Sequence, residues 1–190
     1  MTLNVYWPDS MKLSASDLTQ ITVDLNSGIS AKDRFARLLN TIRKVIRCDA
    51  SALLVLQGKQ LKPLAINGLS PDVLGRRFLI SEHPRLESIA RAGEVVRFPA
   101  ESDLPDPYDG LIPNQGDQLN VHACVGLPLL VNEHLIGVLT IDGFDETMFN
   151  DFDDEDLQTL SALAAASLNN ALMMEKLEKR VATGPTAEPE

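Results

Sequence analysis

The chain has 190 residues, a length that suits one domain with tails. A hydrophobic fraction of 44% is enough for a packed core and excludes a disordered chain. The net charge of −10, with positive side chains dispersed, argues against direct binding to nucleic acid or an anionic membrane, because neutralising phosphates needs clustered Lys and Arg.

Residues 1–13 read as a flexible arm, without the basic-then-apolar pattern of a signal peptide. The sequence Ser14–Asn26, with Leu18, Ile21, Val23 and Leu25, predicts a short amphipathic helix capped by Ser14 or Ser16. A second helix is expected from about Ser30 to Arg47, where Phe35, Leu38, Leu39, Ile42, Val45 and Ile46 share a face. Ser30 with Asp33 resembles a capping box in which Asp replaces the usual Glu or Gln. Ser51–Gln57 and Gln60–Ile66 form a predicted hairpin around Gly58-Lys59. Leu69–Phe78 reads as a short helical turn, Pro84–Ala92 as a helix stopped by Gly93, and Glu94–Phe98 as a short strand.

Residues 99–120 are rich in Pro, Asp and Gly, and a loop of that length inside a compact domain is often functional. Two apolar strands follow, Val121–Val131 and Leu135–Asp142, joined by a tight turn near Asn132-Glu133. Asp153 to about Arg180 is a long helix whose opening acids complement its macrodipole, and residues 181–190 are a polar linker tail. Helices at both ends of a central antiparallel sheet predict an α+β fold. The terminal helices are expected on one sheet face, with the irregular middle enclosing a small-molecule or metal pocket on the other. No stretch reaches the roughly 18 apolar residues of a membrane span.

The stretch VHACVG carries the main chemical signal. His122 and Cys124 are two apart in a strand, so they share a face. Asp106 and Asp109 precede them in LPDPYDG, and Asp142 follows in TIDG. Imidazole, thiolate and carboxylate make a mixed donor set. With an open position, it suits a redox metal that binds a diatomic better than a structural zinc site. Core packing and turn formation explain the same residues, since free cysteine is commonly buried and Asp stabilises turns. Strand register tests the metal reading. A three-residue hairpin loop, Asn132–His134, sets Cys124 opposite Asp142, whereas a two-residue turn sends Asp142 to the other face unless a bulge restores parity.

Elsewhere the expectations are plainer. Cys48 packs in the core, His83 precedes a helix, and His134 sits exposed in the hairpin loop. Cys48 and Cys124 make no disulfide framework and fit a reducing cytoplasm. Leu168, Leu172, Glu175 and Leu177 on the last helix are positioned to meet a second copy, giving a homodimer through the terminal helices.

Several strings go further: RCDASALL, NGLSPDVLGRRF, EHPRLESIARAGEVVRFPA, LPDPYDGLIP, VHACVGLPL and LIGVLTIDG. The order of elements resembles a GAF sensory domain. Together the strings, spanning about Asp17–Leu177, resemble the N-terminal sensor domain of the NorR-type nitric-oxide-responsive transcriptional activators. The resemblance implies a mononuclear non-haem ferrous iron held by some of Asp106, Asp109, His122, Cys124 and Asp142. It also implies that nitric oxide bound there relieves inhibition of an AAA+ ATPase domain, which drives transcription by sigma-54 RNA polymerase.

The arginines at Arg85 and Arg91 match positions near the site in that family. A guanidinium offers no lone pair, so hydrogen bonding to a bound carboxylate or to NO is the expected role. Tyr108 is expected to line the pocket. The chain contains no GxxxxGK[ST] phosphate loop and no DNA-reading helix pair, so ATPase and DNA-binding activities are not assigned to it, and no catalytic residue is. Two other readings stand beside this one. A metal-free module for a small organic effector would lack a Gly-rich phosphate cradle here. A GAF-type methionine sulfoxide reductase would need Cys48 and Cys124 within disulfide reach.

Overall fold

The computed structural model describes residues 13–26, 30–113 and 123–182. The expected arm up to residue 12, the stretch 114–122 with His122, and the tail from 183 lie outside the described residues.

Helix α1 (Ala15–Asn26) begins at Ser14, whose N–H donates to Asp17 Oδ2 at 2.9 Å while its Oγ accepts from the Asp17 N–H at 3.1 Å. The same reciprocal logic starts α2 (Ala31–Ile46), where Ser30 Oγ accepts from the Asp33 N–H at 3.2 Å and donates to Asp33 Oδ2 at 2.7 Å. In α1 the apolar face is narrower than its sequence suggests. Ile21 and Leu25 are buried, but Val23 is exposed. The helix turns Asp24 inward instead, where its carboxylate accepts from Thr41 Oγ1 on α2.

Strands β1 (Ala50–Gln57) and β2 (Gln60–Asn67) form the expected hairpin, with Gly58 at φ +63°. The expected helical turn over 69–78 is shorter, a 3-10 turn at Pro71–Gly75. Phe78 instead opens a two-residue strand, β3 (Phe78–Leu79), paired with β2 through Leu61. Burial of the Phe78 ring decides this, a long-range effect that local pattern does not carry. Helix α3 (Pro84–Ala92) ends at Gly93 with φ +71°, and β4 (Val96–Phe98) follows. Strands β5 (Ala123–Val131) and β6 (His134–Gly143) precede α4 (Asp154–Ala182).

All pairings are antiparallel, in the order β3-β2-β1-β6-β5-β4. Strand alternation divides the core in two. Leu53, Val55, Val125, Leu127, Leu129, Leu139 and Ile141 face α1, α2 and α4. Ala52, Leu54, Cys124 and Val138 face the other way, towards α3 and the irregular segment around Tyr108. The chain is thus an α+β layer structure, with terminal helices on one face of the sheet.

The β5–β6 hairpin takes the bulge route to parity. Its turn has two residues, Asn132 and Glu133, at φ +49° and +64°, a type I′ geometry. Val131 opposes His134 and Leu130 opposes Leu135, but Leu129 opposes Gly137, which leaves Ile136 as the extra residue. From there the register runs on to Cys124 opposite Asp142.

Candidate functional site

On the face away from α1, α2 and α4, buried charge and polarity gather among apolar side chains. Cys124 comes from β5, and Thr140 and Asp142 come from β6, each an even-numbered position projecting the same way. All three are buried, and both Asp142 carboxylate oxygens are sealed from solvent. From α3, Arg85 reaches across the irregular segment. Its Nε donates to the Leu104 carbonyl at 2.8 Å and its Nη1 to Asp106 Oδ2 at 3.1 Å. The two side chains of this pair are only 6% and 4% exposed, so each charge depends on the other for its compensation. The Arg85 guanidinium also lies 5.4 Å from the centroid of the Phe98 ring.

Asp106 has a second task. Its Oδ1 accepts from the Tyr108 N–H at 2.7 Å, an Asx-type turn that folds the loop back on itself. Tyr108 is buried, its hydroxyl 3.0 Å from Thr140 Oγ1, with the Phe78 ring packed edge-on 5.8 Å away. Burial pushes the Tyr108 hydroxyl well above its ordinary pKa, and the nearby negative charge of Asp142 and Asp106 adds to this. Burial likewise pushes the Cys124 thiol well up, reinforced by Asp142, by Asp106 and by a hydrogen bond to the Asp142 carboxylate, while Arg85 opposes.

The structure therefore brings together Arg85, Asp106, Tyr108, Cys124 and Asp142. It leaves Asp109 exposed. Arg91 is outside too, its side chain 78% exposed and paired with Glu87 at 2.6 Å one helical turn away. His122 lies outside the described residues. Thr140 and Phe98 join the cluster without having been singled out in the sequence. Thr140 carried a usable signal, since it stands two residues before Asp142 in the same strand; Phe98 carried none, because its place depends on β4 pairing with β5.

Among the described residues no three His, Cys, Asp or Glu side chains form a group ready to hold a metal. What is present is a thiol and a carboxylate side by side on adjacent strands, with Asp106 close enough to act on both Cys124 and Tyr108. Two carboxylates and a thiol are buried close together here, an arrangement in which desolvation disfavours the charged forms. A cation bound between Cys124 and Asp142 would favour the thiolate. The donor set fits a divalent transition metal.

A family profile described as the GAF domain matches residues 30–172. The chain belongs to the GAF domain family. Solved GAF structures share its fold. The GAF domain of a phosphoenolpyruvate-protein phosphotransferase from Coxiella burnetii superposes with a TM-score of 0.68 at 20% identity, covering 88% of this chain and 99% of that one. Free methionine-R-sulfoxide reductase from Neisseria meningitidis, solved with its substrate, gives 0.62 at 15% identity over 83% of this chain and 89% of that one. At such identity the likeness is one of fold alone. Among curated proteins, the anaerobic nitric oxide reductase transcription regulator NorR of Aliivibrio fischeri is 61% identical over 170 residues, 90% of this chain and 33% of that protein. The regulator of the same name from Serratia proteamaculans is 59% identical over 179 residues, 94% of this chain and 35% of that protein. This GAF chain spans about a third of the length of the curated relatives it matches.

Proposed function

We propose that this GAF domain senses nitric oxide for a transcription regulator, through a mononuclear non-haem ferrous iron held by Cys124 and Asp142 together with His122 and Asp106. One observation carries the reading: register places Cys124 against Asp142 inside a buried acidic cluster, in a chain 61% identical to a nitric oxide reductase regulator. Asp106 is already inside, whereas Asp109 has to swing inward to join the donors. Bound ferrous iron supplies an open coordination position for a diatomic.

The chain's own residues do the rest. Arg85 fixes Asp106 and offers N–H donors at the site, the buried Tyr108 hydroxyl sits beside Thr140, and the Phe78 and Phe98 rings pack against Tyr108 and the Arg85 guanidinium. No turnover is needed; a signal arises if NO binds one conformation better than another. In this reading the sensor governs an AAA+ ATPase that acts with sigma-54 RNA polymerase, parts that belong to the longer regulator. It works in the cytoplasm, and among the described residues no helix is long and apolar enough to cross a membrane. Beyond Leu172, α4 presents Met173, Leu177 and Val181 four residues apart and mostly exposed, a stripe that supports pairing with a second copy.

The sulfoxide reductase alternative loses its footing in the geometry. Cys48 packs in the helix-side core and Cys124 in the pocket-side core, so the two thiols do not face one another. The test is anaerobic loading with ferrous iron, metal analysis, then NO. The expected result is one iron per chain and a half-integer-spin electron paramagnetic resonance signal. Cys124→Ala and Asp142→Ala lose the iron, while Cys48→Ala keeps it. Folded protein that takes up no iron overturns the proposal.

A further inference from the structure

Strand β4 is an edge of three residues, bonded to the sheet through β5. Its two last residues point to opposite faces. Phe98 stands opposite Cys124, belongs to the pocket-side core, and carries the Arg85 guanidinium over its ring. Arg97 goes the other way and spends its whole fork on one distant stretch. Nε donates to Asp154 Oδ1 at 2.8 Å, Nη1 to the Phe149 carbonyl at 3.0 Å, and Nη2 to the Phe152 carbonyl at 2.6 Å.

That stretch is the entry to α4. Asp153 Oδ1 accepts from the Asp156 N–H at 2.9 Å and so caps the helix, and Asp154 is its first residue. The side chains of Phe149 and Phe152 are buried in the helix-side core, so their carbonyls sit on an anchored segment. The same stretch is also what the chain reaches after leaving Asp142 at the end of β6. Two arms thus run from the Cys124–Asp142 pair: one through Phe98 to Arg97, the other along 143–153. They meet at the start of α4.

The geometry points to Arg97 as a positioning residue that couples displacement of Cys124 and Asp142 to the setting of α4, the helix that leads out of the domain. The Asp154 contact adds little to this, because that carboxylate is 70% exposed and the pair is screened by solvent. The two carbonyl contacts matter more. Only a planar fork of fixed geometry reaches both carbonyls and the carboxylate at once, so a lysine at this position keeps the charge and loses the linkage. The inference builds on the proposed sensing site only for the nature of the stimulus, and its test needs neither iron nor NO.

Hydrogen–deuterium exchange of the metal-free chain reads the coupling directly. Cys124→Ser disturbs the pocket side. In the Arg97 background it is expected to change exchange in residues 154–160 by about 3-fold or more, the scale of coupling between sites linked by a packed network. In the Arg97→Lys background the change at 154–160 vanishes, while the local effect of Cys124→Ser on β5 remains. A role in stability alone would shift exchange throughout and leave the Cys124→Ser difference intact. If Arg97→Lys does not fold, Arg97→Gln, which keeps one amide donor, serves in the same cycle. An equal change at 154–160 in both backgrounds, or none in either, overturns the inference. Failure of iron binding shows up in metal analysis and leaves this result standing.

Discussion

Cys48 and Cys124 are both buried, but they belong to the two cores on opposite faces of one sheet. Cys48 packs in the helix-side core, where the charges of Asp142, Asp49 and Arg43 act on it from nearby. Cys124 lies beside Asp142, within reach of Asp106 and Arg85. Burial alone therefore does not tell the two thiols apart; the hydrogen bond of Cys124 to Asp142 does. Both faces bury hydrocarbon, and the second also buries an ion pair and hydrogen bonds that hold its irregular segment in place.

The largest expected effect comes from breaking the polar cluster at its buried guanidinium, Arg85. Arg85→Leu removes the guanidinium from beside the buried Asp106 carboxylate and is expected to cost about 3–5 kcal/mol in urea unfolding. Adding Asp106→Asn removes the buried charge while keeping an oxygen for the Tyr108 N–H, so the double variant is expected to recover most of the loss. Recovery means that the pair serves the site and not the fold. If the double variant stays as unstable as the single one, the two faces differ less in purpose than their composition suggests.

A smaller effect sharpens the contrast from the Cys48 side. Burial, first, and then the negative charge of Asp142 and Asp49 push the Cys48 thiol up from 9.0 to about 12, against the opposing pull of Arg43. The raised value favours the neutral thiol in the folded chain. Its stabilising contribution is whole below the unfolded thiol's pKa near 9 and is lost as pH climbs towards the folded value. Between pH 9 and 12 the stability of the wild-type chain is expected to fall faster than that of Cys48→Ala, by up to about 1.4 kcal/mol per pH unit. The difference between the two urea curves isolates this thiol from the other groups that titrate there. Parallel curves would mean that folding leaves the Cys48 thiol's pKa where it is in the unfolded chain.

What was legible in the sequence follows the range of the forces involved. The caps at Ser14 and Ser30 and the Gly58-Lys59 hairpin are set by neighbours a few residues away, and all formed as expected. The pairing of Cys124 with Asp142 was legible as a condition. Parity required either an odd loop or a bulge, and the choice fell at Leu129–Leu130, five residues from Cys124 along β5. Asp106 and Asp109 were indistinguishable in PDPYDG because both suit a turn. Arg85, 21 residues away, draws one of them inside. Arg85 and Arg91 differ for a related reason: six residues along a helix turns the second away from the face the first presents, so Arg91 meets solvent and Glu87. Long-range pairing is where local pattern ends.

The smallest expected effect lies at the turn on which that register rests. Asn132 and Glu133 both hold positive φ, which Asn tolerates and Glu does not, because its Cβ crowds the backbone in the left-handed region. Nothing about Glu133 compensates for this in the way that Asn132 suits its place; the type I′ turn favours glycine at the second position. Glu133→Gly is therefore expected to raise stability by roughly 0.5–1 kcal/mol, the relief of strain outweighing glycine's extra freedom in the unfolded chain. Iron uptake by Cys124 and Asp142 should be unchanged, since the bulge at Leu129–Leu130 lies between the turn and the pair. A loss of iron binding in this variant would mean that the turn, and not the bulge, sets which face Asp142 occupies.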